Sequence, residues 1–257
     1  MNNIKSIYYH NPAPIGFERM IVYYKNRGYR FITLSELYSI LTVKRVITEK
    51  LVFISLDDGW KGNLRLLPII EKHQIPVCIF VATQPIEDGN YWWEYVKNEI
   101  GLKHISAFKE LPHAEFYERL GELKKRNKLE RSSITKAELI KLSKHPFVTI
   151  QSHTVNHPIL TNTPDKVLNM ELSDSKKHLE EITGSDIYAF SYPNGSLTDR
   201  EVSVCEKYYK LAFTTEQRHI KCDDNLFLLP RYALTGQFYR DLLKVLGIWK
   251  ILKKMSL

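Results

Sequence analysis

Residues 51–59 read LVFISLDDG, an apolar run that ends in two adjacent carboxylates. The run is β-branched and aromatic enough for a strand buried on both faces, so Asp57 and Asp58 fall at its carboxyl end, just before Gly59. Two like charges at a strand end are unfavourable unless something compensates them. Asp-Asp-Gly is also a good turn and helix N-cap sequence. The rest of the chain must decide between a turn and a site.

Working outward, similar β-type runs recur at residues 4–9, 77–81, 147–151, 188–192, 211–214 and 226–229. Helix-like segments lie between most of them, at 17–27, 34–41, 64–73, 164–182 and 199–208. Strands alternating with helices give parallel βαβ units. About seven such strands predict an α/β barrel over residues 1–240. Residues 87–146 break the rhythm with NYWWEYVKNEI and charged helical sequence, which predicts a helical insertion after an early barrel strand. In barrels the active site is built at the carboxyl ends of the strands. Those ends carry Asp57-Asp58, Ser152-His153, Tyr192-Pro193-Asn194 and Pro230-Arg231.

The 257 residues are 44% hydrophobic and 26% charged, an ordinary globular composition that excludes global disorder. Three widely spaced cysteines, Cys78, Cys205 and Cys222, exclude a disulfide framework or a cysteine zinc site. The beginning MNNIKSIYYHNPAPIG lacks the apolar core of a signal peptide, so a cytoplasmic location is expected. The net charge of +8 permits an acidic partner, but no nucleic-acid-binding motif is present. In residues 241–257, Leu242, Leu243, Leu246, Trp249, Ile251 and Leu252 alternate with lysines. That pattern describes a basic amphipathic helix, either packed on the barrel or lying on the inner membrane face. Oligomeric state is not readable.

A second strand end carries SHTVNHP at 152–158. His153 and His157 are four apart, and on a helical turn both imidazoles would face one ion. Two neutral ring nitrogens and one carboxylate, from Asp57 or Asp58, make a plausible catalytic zinc set. The other aspartate would be free for acid/base work. A cation would also offset the charge of the aspartate pair.

These motifs together resemble a polysaccharide deacetylase of carbohydrate esterase family 4. SLDDG is similar to the family's first motif, with Leu56 in place of the usual aromatic residue, and SHTVNHP to its second. FSYPNG at 190–195 resembles the FxYPxG form of the third, found in surface-polysaccharide members, and IYYHNP resembles their first strand. The resemblance covers about residues 4–234 and implies a distorted (β/α)7 barrel with a divalent metal, zinc by default, with nickel or cobalt suiting the same ligands.

Carried over, it implies Asp58, His153 and His157 as metal ligands and Asp57 as general base. It also implies the backbone N–H of Asn194 as oxyanion donor, and Arg231 in LLPRYAL as the partner of Asp57. A surface-loop arginine is the alternative for Arg231. The histidine that many members place near the last strand to protonate the leaving amine is missing, which leaves His10 or Asp57 itself. Tyr192, Trp92 and Trp93 are candidate sugar contacts or packing residues. The implied reaction removes N-acetyl groups from an N-acetylated sugar, a surface polysaccharide or a lipid- or nucleotide-linked precursor. An O-acetyl esterase and a non-catalytic carbohydrate-binding protein are the two alternatives.

Overall fold

The computed structural model describes residues 3–248. Its centre is an all-parallel sheet of β1 (Lys5–Tyr9), β2 (Arg30–Phe31), β3 (Leu51–Leu56), β4 (Val77–Val81), β5 (Val148–Ser152), β6 (Ala189–Ser191), β7 (Leu211–Phe213) and β8 (Tyr232–Ala233). The strand order is β7-β6-β5-β4-β3-β1-β8, with the two-residue β2 pairing β3 off this path. Seven strands on the path make the expected distorted (β/α)7 barrel. The expected strand at 226–229 is a looped segment that touches β7 through a parallel bridge between Leu229 and Phe213. The last strand comes three residues later and pairs β1, Ile7 with Tyr232. Residues 226–234 thus reach from one edge of the sheet to the other.

Every residue of β3 is buried, as its unbroken apolar run requires. Period-two alternation then sorts its side chains. Val52, Ile54 and Leu56 join the large core beneath the helices, whereas Leu51 and Phe53 join the second core with Cys78, Phe80 and Phe213. Ser55 and Asp57 continue the Phe53 row, so the first aspartate is delivered into the barrel.

The helices are α1 (Pro14–Lys25), α2 (Leu34–Thr42), α3 (Leu67–His73), α4 (Gln84–Asp88), α5 (Trp92–Ile100), α6 (Ile105–Lys109), α7 (His113–Arg126), α8 (Lys136–Ser143), α9 (Asp165–Thr183), α10 (Asp199–Cys205) and α11 (Phe238–Val245). Thr135 with Glu138 and Thr198 with Glu201 form capping boxes that start α8 and α10, each Thr cap contributing about 1 kcal/mol. Between β4 and β5 the chain is helical, with a small core of its own from Trp92, Tyr95, Val96, Phe108, Phe116, Leu120 and Leu123. α11 packs on α1, with Val245 buried in the main core and Phe238 and Leu242 packed against it. Residues 249–257, with Trp249 and the lysines of the expected basic tail, lie outside the described residues. Among the described residues no helix is long and apolar enough to cross a membrane.

Candidate active site

Asp57 and Asp58 part at the end of β3. Asp57 follows the strand's alternation inward, whereas Asp58 takes a φ of 76°, which turns its carboxylate toward the mouth of the barrel. A left-handed aspartate is among the less unfavourable non-glycine cases, and Gly59 continues the turn at φ 87°.

Inside the barrel, Arg231 donates from Nη1 to Asp57 Oδ1 at 2.8 Å and from Nη2 to Oδ2 at 2.9 Å. Its remaining donors reach Ser55 Oγ at 2.9 Å, Ser191 Oγ at 2.7 Å and, from Nε, the Thr214 carbonyl at 3.3 Å, and its carbon lies 4.1 Å from the Tyr8 ring centre. Arg231 is fully buried, which removes the surface-loop reading. Burial alone would raise Asp57, but the charge and hydrogen bonds of Arg231 override it and hold the carboxyl below its ordinary range. Asp57 is therefore an oriented carboxylate at neutral pH.

At the mouth, Asp58 Oδ1 stands 3.3 Å from His153 Nε2 and 3.5 Å from His157 Nε2. His153 Nδ1 is 2.7 Å from the Ser191 carbonyl, which only accepts, so Nδ1 carries the hydrogen and Nε2 presents a lone pair. Burial, then the neighbouring His153, lower His157 to about 3, so it is neutral. Asp58 Oδ2 accepts from Trp60 Nε1 at 2.7 Å, while Oδ1 is buried with no hydrogen-bond partner.

A buried carboxylate oxygen facing two ring nitrogens is unfavourable unless a positive centre lies among them. Tetrahedral zinc with bonds of about 2.0–2.1 Å sets its ligands about 3.3 Å apart; the two Asp58 spacings match, and the three donor atoms lie within 4.8 Å of one another. The donors therefore fit a divalent cation. Burial opposes charge on His153, yet Asp58 and Asp57 together raise its affinity for a proton, and a cation would feel the same field.

The two histidines do not share a helical turn. Residues 153–157 form a loop after β5 in which Thr154 (φ 70°) and His157 (φ 55°) are left-handed, and the His157 N–H bonds Thr154 Oγ1 at 2.9 Å. Beneath the loop, the buried Glu171 of α9 accepts hydrogen bonds from the backbone N–H groups of Val155 and Asn156.

Asp57, Asp58, His153 and His157 line one cavity of about 520 Å³ with the expected His10, Trp92, Trp93, Tyr192 and Asn194. Their exposures differ. His10 is exposed at the rim. Trp93 is half-buried, stacks on Tyr91 at 4.7 Å and meets the His157 ring edge-on at 4.7 Å. Trp92 is instead packed against Phe108 and Phe116, and its Nε1 donates to the His157 carbonyl at 3.0 Å. The Tyr192 ring sits in the main core with its hydroxyl near Cys205.

Asn194 is left-handed at φ 56°, and its side-chain oxygen accepts from Lys109 of the insertion. Gly195 follows at φ 69°, and a Cβ there would lie 2.0 Å from Thr215 Oγ1, so this turn needs glycine. Trp60, Ile105, Lys109 and Thr215 also line the cavity and were not read from sequence. Of these only Trp60 was signalled, by following the aspartates directly.

The sequence model of the polysaccharide deacetylase family matches residues 44–210, more than half of the chain, and the protein belongs to that family. A Bacillus subtilis (strain 168) relative, YxkH, itself provisionally named a polysaccharide deacetylase, is 23% identical over 221 residues, 85% of this chain. The chain spans 64% of that relative's length. Among solved structures, the Streptococcus pyogenes deacetylase PplD in complex with acetate superposes with a TM-score of 0.72 at 20% identity, over 95% of this chain and 98% of that one. IcaB from Ammonifex degensii superposes with a TM-score of 0.68 at 17% identity, over 94% and 96%. At these identities the structural likeness speaks for the fold.

Proposed function

We propose that the protein is a metal-dependent N-deacetylase acting on an N-acetylated sugar of a surface polysaccharide or its precursor. The observation that carries this reading is the division of labour between adjacent aspartates. Asp58 stands with two histidine lone pairs, while Asp57 is kept ionised and separate by Arg231. Membership of the polysaccharide deacetylase family supports a carbohydrate substrate and loss of an acetyl group.

Asp58, His153 and His157 would hold the cation, whose chemistry is to polarise the acetamide carbonyl and to lower the pKa of the attacking water. The chain's own residues do the rest. Asp57 takes the proton as the water oxygen bonds to the carbonyl carbon, and Arg231 fixes the carboxylate's direction during that transfer. The backbone N–H of Asn194, at the turn that Gly195 permits, donates to the developing oxyanion. When the C–N bond breaks, the amine takes a proton from Asp57 or from His10 at the rim, leaving acetate and a free amino sugar. Trp93 offers a half-buried aromatic face for the sugar.

The test is acetate release from a panel of N-acetylated oligosaccharides, compared between the wild type and Asp57→Asn. Release that is lost in the variant supports the reading. Release that persists at wild-type rates removes Asp57 from the base role, and hydrolysis of O-acetyl but not N-acetyl sugars replaces the amide by an ester.

A further inference from the structure

The two histidines of the candidate metal site are held in different ways. His153 is fixed twice, by its N–H to the Val81 carbonyl at 3.0 Å and by its ring Nδ1 to the Ser191 carbonyl. His157 has no hydrogen-bond partner at its Nδ1, which is buried. A metal-binding imidazole ordinarily donates its second nitrogen to a carboxylate, carbonyl or water, which sets the ring's orientation. For His157 the orientation is set by its ring neighbours Trp93 and His153, by the Trp92 bond to its carbonyl and by the backbone of residues 154–157. That backbone is unfavourable by itself, because each left-handed non-glycine residue costs about 1–2 kcal/mol.

Glu171, on the second turn of α9, is 2% exposed. Its Oε2 accepts from the Val155 and Asn156 backbone N–H groups, both at 2.9 Å, and its Oε1 accepts from Asn156 Nδ2 at 2.7 Å. No ion pair among the described residues involves it, so these bonds are its compensation for burial. Two successive N–H groups turned to one oxygen fix the peptide planes on both sides of Val155. They thereby set the direction in which the chain reaches His157.

We propose that Glu171 is a positioning residue for the cation site. Through the backbone of residues 155 and 156 it sets His157 Nε2 against Asp58, and so sets metal affinity. This role rests on the metal-site reading above.

The experiment measures zinc affinity by competition with a chromophoric chelator, with thermal unfolding of the metal-free protein in parallel. Glu171→Met keeps the length of the side chain but offers the loop no oxygen. Zinc affinity is expected to fall about 10- to 100-fold. Glu171→Gln keeps one acceptor oxygen for the two backbone N–H groups, and a turned Asn156 amide accepts from the new NH2 group, so this variant retains most of the affinity.

Asp241→Asn is the comparison, since Asp241 is a buried carboxylate that accepts from the Thr235 and Gly236 N–H groups on a different loop. It lowers the unfolding temperature and leaves zinc affinity unchanged. Unchanged affinity in Glu171→Met overturns the proposal, as does a loss in Glu171→Gln as large as that in Glu171→Met. A wild-type protein that binds no zinc overturns the metal reading itself, and this role with it.

Discussion

Arg231 grips both carboxylate oxygens of Asp57, at 2.8 and 2.9 Å, in the interior of the barrel, where neither residue meets solvent appreciably. The pair joins the segment that closes the sheet to the strand that carries the aspartates. It therefore serves the fold and the site at once.

Arg231→Met removes the cation and leaves Asp57 as an unpaired buried charge, which is expected to destabilise the protein by about 3–5 kcal/mol. Adding Asp57→Asn removes that charge, so the double variant is expected to be more stable than Arg231→Met alone, with no recovery of turnover. Chemical denaturation of the four proteins of the cycle measures this, and additive single effects would contradict it.

Asp57→Asn alone is expected to lower turnover by about 100- to 10,000-fold, the usual contribution of a positioned base. Metal affinity should fall less than turnover, because Asp57 acts on the cation through its field alone while Asp58, His153 and His157 remain as ligands. Steady-state kinetics with metal titration would expose an error if both quantities fell together.

The neighbouring tryptophans separate packing from contact. Trp92→Ala empties a site between Phe108 and Phe116 and should cost about 3–5 kcal/mol of stability. Trp93→Ala should leave the unfolding temperature nearly unchanged and raise KM, since its face borders the cavity. Equal unfolding temperatures for the two variants would count against this assignment.

Gly195→Ala places a methyl group against Thr215 Oγ1 at a left-handed position and must displace the Asn194 peptide. Loss of one oxyanion donor corresponds to a fall in kcat on the order of 100- to 1,000-fold with KM little changed. A variant with wild-type kcat would show that the Asn194 N–H does not meet the oxyanion.

Much of this site is written in local pattern. The strand at 51–56 is legible because an unbroken apolar run fits a fully buried parallel strand, and the alternation along it places Asp57 inward. The strand pair at 30–31 and the last strand at 232–233 are two residues each, too short to show a period. The loop after β5 reads as a helical turn in sequence, because neither Thr154 nor His157 signals a left-handed backbone. The local bond to Thr154 Oγ1 and tertiary bonds from Glu171, from the Thr83 and Gln84 N–H groups and from Trp92 Nε1 hold it there. Glu171 itself sits in MELSDSKKHLEE, where it reads as one more acidic residue of a solvated helix. Its role depends on α9 lying beneath a loop fifteen residues earlier, which no local pattern contains.

The central claim is that Asp58, His153 and His157 bind one cation on which amide hydrolysis depends. The direct measurement strips the protein with a chelator, returns zinc in measured portions and follows acetate release from an N-acetylated oligosaccharide. The account predicts no release without metal, a rise that stops at one zinc per chain, and no recovery in His153→Ala/His157→Ala. Release that survives stripping, or that returns equally in the double variant, would contradict it.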